Sequence, residues 1–109
     1  MSENLTLDDL AVPLGALRLL AGDFGHLPAP VVHVSTIYPD QLDLTFYDDL
    51  PGFEMWRDAL GVAPGTVTYR EQSNGRTRVL RASVDHAGAA VQLTAYADVV
   101  APVAAGGAA

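Results

Sequence analysis

Cysteine and lysine are both missing from this chain of 109 residues. Without a thiol there is no disulfide, no thiolate nucleophile and no Cys-ligated metal site. Without lysine, all six basic side chains are arginines. Both gaps, beside an excess of Ala, Val, Gly and Asp, match the codon bias of a GC-rich genome. Long apolar runs are missing too: none approaches the roughly 20 residues that span a bilayer, so no membrane helix is expected. The first residues, "MSENLTLDDL", are acidic where a secretory leader is basic. A cytoplasmic protein is the expectation. Positive charge is scarce: six basic residues face thirteen acidic ones, for a net charge of −7. A field of that sign repels phosphate backbones and anionic lipid, which argues against nucleic acid or a membrane as partner. It suits a basic partner, or solubility alone.

What is present is a chain that is 50% hydrophobic and 17% charged, a globular balance. Its length supports one core and not two. A single domain is expected over residues 1–100, followed by a flexible tail, "APVAAGGAA", over 101–109.

The N-terminal segment reads as helix. Thr6 is an N-cap candidate with Asp9 three residues on, a variant of the capping box. Leu7, Leu10, Leu14 and Leu17 follow at helical spacing. Pro13 either starts this helix or kinks it. Gly22 or Gly25 ends it, and "LPAP" at 27–30 blocks continuation. Between Leu10 and Gly22 the only charge is Arg18. A helix apolar nearly all round is buried on more than one side, whereas a two-layer domain covers only one. Leu10, Leu14, Leu17 and Leu20 are therefore candidate contacts with a second chain. On the alternative reading, Val12, Ala16 and Leu19 are scattered surface apolars.

Two strand-like runs follow, "VVHVSTI" and "QLDLTFY", around the turn "YPD". Pairing Ile37 with Gln41 across a three-residue loop aligns Val32 with Phe46 and Val34 with Leu44. His33, Ser35, Asp43, Thr45 and Tyr47 then share the opposite face. Ser35, His33 and Asp43 do not read as a nucleophilic triad. Neighbours on one strand face stand about 7 Å apart, strand N–H groups are taken by the ladder, and no G-x-S-x-G turn occurs.

"FYDDLPGFEMWRDALG", residues 46–61, crowds four acids around the single tryptophan. It reads as a capped helix: Asp48 or Asp49 as N-cap, Pro51 in the first turn, Phe53, Trp56 and Leu60 as the buried stripe, and Gly61 closing it. Glu54 and Asp58 face water, with Arg57 near enough to Glu54 to offset their repulsion. The acids lack the alternating spacing of a calcium loop, and His26, His33 and His86 lack zinc spacing. No metal, cofactor or catalytic group is assigned.

The remainder is a strand meander. "TVTYREQSNGRTRVLRASV" is a hairpin on an Asn74-Gly75 type I′ turn, which sets Glu71 opposite Arg78 as an ion pair, Tyr69 opposite Leu80 and Val67 opposite Ala82 on the core side. A four-residue turn, "DHAG", then leads into "AAVQLTAYADV", with Val91 opposite Ala82 and Leu93 opposite Leu80. The outer side carries Arg70, Arg81, Gln92, Thr94 and Tyr96 around Val79.

The expected fold is α+β: one two-layer domain in the order α-β-β-α-β-β-β, with a mainly antiparallel five-stranded sheet and both helices on one face. Three functions compete. The first is a non-catalytic protein-interaction module, a homodimer through the leucine-rich helix or the open sheet face, with His33, Asp43, Tyr47, Arg70, Arg81 and Tyr96 as the candidate partner or ligand face. The second is a small-molecule binder or enzyme with a pocket between sheet and helices near His33, Asp43, Tyr47 and Trp56. The third is an acidic regulator, such as an antitoxin, immunity protein or nucleic-acid mimic, that covers a basic surface.

Overall fold

The computed structural model of the chain describes residues 5–72 and 75–98. A 3₁₀ turn, Leu7–Leu10, leads into α1, Ala11–Asp23. Strands β1, Val31–Val34, and β2, Gln41–Tyr47, precede α2, Leu50–Ala59. A second 3₁₀ turn, Pro64–Thr66, opens onto β3, Thr68–Gln72, β4, Thr77–His86, and β5, Ala89–Asp98. The class and element order are those expected.

The five strands lie in the order β1-β2-β5-β4-β3. Every pairing is antiparallel except β2 with β5, which is parallel, so the sheet is mixed. A parallel pair needs a long crossover, here α2 and the β3–β4 hairpin. Both helices pack over β2 and β5. Strand alternation then sends Leu42, Leu44, Phe46, Val91, Leu93 and Ala95 into one core with Ala16, Leu20, Phe53 and Trp56.

Pro13 lies in the first turn of α1, where its missing N–H costs least, and its ring is buried. It starts the helix and does not kink it. Asp9 accepts the Thr6 backbone N–H at 2.7 Å, as the capping motif requires. The stripe that α1 buries is Pro13, Ala16 and Leu20, rotated from the expected leucine line. Leu7 drops out of that line because it sits in the preceding 3₁₀ turn, whose period is three, and it is 72% exposed. Ala16, counted among surface apolars by one reading, is a core residue.

In α2 the Asp49 carboxylate accepts the Gly52 N–H at 3.0 Å. The fit needs glycine, since an added Cβ would run into that carboxylate. Gly61, at φ +74°, ends the helix in the left-handed conformation glycine tolerates. Arg57 is more buried than expected. It is held by the Glu54 carboxylate at 3.0–3.1 Å and by the Val62 carbonyl at 2.6 Å. The hydrogen bond to Glu54 raises the already high guanidinium pKa.

The β3–β4 register matches the expectation, with Glu71 opposite Arg78 and Tyr69 opposite Leu80. Gly75 has the positive φ of the expected turn, while Asn74 and the 101–109 tail lie outside the described residues. The Glu71–Arg78 ion pair does not form. Glu71 instead accepts the Tyr69 hydroxyl at 2.7 Å, which raises the phenol pKa. Tyr69 is exposed because β3 is an edge strand that neither helix covers.

The other two registers slip by two residues. In the first hairpin Val32 faces Leu44, Val34 faces Leu42 and His33 faces Asp43. The chain leaves β1 at Ser35, whose hydroxyl accepts the Ile37 N–H at 3.0 Å, so the loop runs longer than three residues. Between β4 and β5 the turn is tighter than expected, with only Ala87 and Gly88 between the strands, and Ala82 faces Leu93. Both turn residues have positive φ, 52° and 84°, the type I′ pattern. A slip of two keeps every side chain on its expected face. Left-handed backbone costs an alanine about 1–2 kcal/mol. Ala87→Asn is therefore expected to raise stability by about 1 kcal/mol, read as a higher urea midpoint; an unchanged or lower midpoint would contradict this turn geometry.

Candidate functional site

With both helices on one side, the other side of the sheet is open. The parallel β2–β5 pair joins two polar surfaces that the sequence presents separately. Their registers make continuous rows: Gln41–Ala90–Asp85, Asp43–Gln92–Ser83, Thr45–Thr94–Arg81 and Tyr47–Tyr96–Val79, each running from β2 across β5 to β4. His33 extends the Asp43 row onto β1 and Arg70 the Val79 row onto β3.

The Tyr47 and Tyr96 rings stack, with centroids 5.5 Å apart and planes 12° from parallel. Val79, beside them in the row, is 2% exposed although it points away from the helices. Its side chain is already covered within the chain. Gln41 donates its side-chain N–H to Asp43 at 2.8 Å. A shallow basin of about 340 Å³ occupies the middle of the face. Of the expected residues, His33, Asp43, Tyr47, Arg81 and Tyr96 line it, and Arg70 lies on the same face outside it.

Charge is divided across the basin. Asp43 stands on β2 and Arg81 on β4, with β5 between them. Strand spacing and rise put their Cα atoms about 12 Å apart, too far to satisfy each other directly. The face thus offers an acceptor on one half and a donor on the other, in contact with solvent.

Trp56 lies on the opposite side of the sheet, so a pocket combining it with His33, Asp43 and Tyr47 does not form. Its indole N–H donates to the Pro28 carbonyl at 2.7 Å, and Phe24 meets it edge-on at 6.1 Å. A second, apolar cavity of about 180 Å³ lies there, between the end of α1 and residues 27–30.

The α1 leucines are also placed differently from the expected interface. Leu20 is fully buried in the chain's own core and has no surface to offer another chain. Leu17 packs against that core, and Leu10 and Leu14 are half-buried. The large apolar side chains that α1 does expose are Val12 and Leu19. Ser35 is occupied with its turn, and among the described residues no three His, Asp or Glu groups gather as a metal set. No described helix is long and apolar enough to cross a membrane.

Sequence reasoning did not bring the β2 residues Gln41 and Thr45 together with Gln92 and Thr94. A signal was present: from Ala89 to Ala97 β5 carries no charge, which suits a central strand, while β3 carries Arg70 and Glu71, which suit an edge. No family model, curated protein or solved structure matches the chain.

Proposed function

We propose that the chain is a non-catalytic protein-interaction module whose recognition surface is the open sheet face. One observation carries this reading: the β2–β5 pairing gathers Asp43, Arg81 and the Tyr47–Tyr96 stack onto one uncovered surface. Aromatic side chains and arginine are enriched where proteins bind proteins. A flat, solvent-open sheet suits a macromolecular partner better than a reaction that needs water excluded. The basin itself favours a second reading, a small ligand carrying both charges, held between Asp43 and Arg81.

The test is photo-crosslinking in the producing cells, with p-benzoylphenylalanine in place of Tyr47 in one variant and in place of Leu19 in another. Protein adducts are expected at 47 and not at 19. Adducts at 19 alone would move the recognition surface to α1 and overturn the proposal.

A further inference from the structure

We infer that the open face pairs with the same face of a second copy of the chain, about a two-fold axis running along β5. This rests on the reading of that face as a recognition surface and names its occupant. The ground is self-complementarity, which a two-fold interface demands: whatever a residue touches must be touched in return.

A half-turn about a line along β5 lays each β2 over the β4 of the other copy. The rows then match in pairs: Gln41 over Asp85, Asp43 over Ser83, Thr45 over Arg81 and Tyr47 over Val79. Asp43 and Asp85 each meet a donor side chain. Asp43 meets the Ser83 hydroxyl directly, and Arg81 lies one two-residue step away, about 7 Å along the strand, within the reach of its long stem. The tyrosine ring, 61% exposed in the single chain, is covered by the other copy where it lies over the Val79 position. On the edge strands, Val31, 55% exposed, comes over Thr68. Along the axis Thr94 and Tyr96 meet their own copies, and Asp98 meets its own at the rim, where water screens it. A two-fold axis across the strands instead sets β2 on β2 and β4 on β4, so Asp43 never comes over the strand that carries Arg81. The charge layout selects the first axis.

Area is sufficient for a reversible dimer. Five strands about 4.8 Å apart and some seven residues long present about 550 Å² per chain, about 1,100 Å² in all, at the low end of specific interfaces. Aligned sheets pack face to face in this way about 10 Å apart.

Molar mass by light scattering, measured on the full chain from micromolar to millimolar concentration, tests this with Asp43→Arg, Arg81→Asp and their equimolar mixture. The unaltered chain is expected to approach twice the monomer mass. Each variant alone sets like charges opposite each other twice, and its dissociation constant rises at least tenfold. In the mixture both pairs are opposite again, and a one-to-one dimer returns. Recovery in the mixture also excludes misfolding as the cause of the single-variant loss. A strict monomer at every concentration, a dimer that both reversals leave intact, or a mixture that stays monomeric would each overturn the inference. A monomer that still gives foreign adducts at position 47 retains the recognition surface and loses only self-pairing.

Discussion

Phe53→Ala is expected to remove about 3–5 kcal/mol, a large share of the stability of a domain this size. The ring is fully buried in the main core and meets Phe46 edge-on, with centroids 6.2 Å apart and planes 84° from parallel. Those two rings tie α2 to β2, one of the two strands on which the helices rest. Deleting the ring leaves a cavity that helix and sheet close only partly, since both are held by other contacts. A urea titration followed by the fluorescence of Trp56, the single tryptophan, reads the change as a lower midpoint. A loss under about 1 kcal/mol would mean that α2 is not seated on the sheet as described.

The second large effect is at Trp56. Trp56→Ala is expected to cost about 3–5 kcal/mol as well, because one side chain closes the core and anchors the segment between α1 and β1. Its ring packs on Phe24, and its N–H satisfies the Pro28 carbonyl. Trp56→Phe separates the two roles. It keeps most of the apolar volume and leaves the carbonyl without its donor, a loss of about 1–3 kcal/mol. Circular dichroism replaces fluorescence as the readout here. If the phenylalanine variant lost as much as the alanine variant, packing would contribute little and the closure described would be wrong.

How much of this was legible beforehand follows how local each feature is. The capped α2 could be read from Asp49, Pro51 and Gly61, whose roles depend only on neighbouring backbone. The β3–β4 register could be counted outward from Asn74-Gly75, because a two-residue turn leaves no choice. The two slipped registers depended on loop length. Ser35 ended β1 early through its own hydrogen bond, and Ala87 took a backbone conformation that its residue type disfavours. Side-chain faces survived both slips because each was even. The buried stripe of α1 was misjudged by rotation: the 3₁₀ turn broke the period that linked Leu7 to Leu17.

The candidate face was half legible. Each hairpin announced its own outward polar residues, so His33, Asp43, Tyr47, Arg70, Arg81 and Tyr96 could all be named. That they form one surface depends on β2 lying beside β5, across the whole length of α2 and the intervening hairpin. The uncharged run of β5 suits a central strand, but which strand lies beside it follows from which apolar faces fit under the same two helices.

The most direct test of the account is therefore a nuclear Overhauser measurement across β2 and β5. Contacts between Thr45 and Thr94, and between the Tyr47 and Tyr96 rings, are the predicted result, in parallel register. Contacts placing Tyr47 against β3, or β2 antiparallel to β5, would separate Asp43 from Arg81 and leave no joint surface for a partner to recognise.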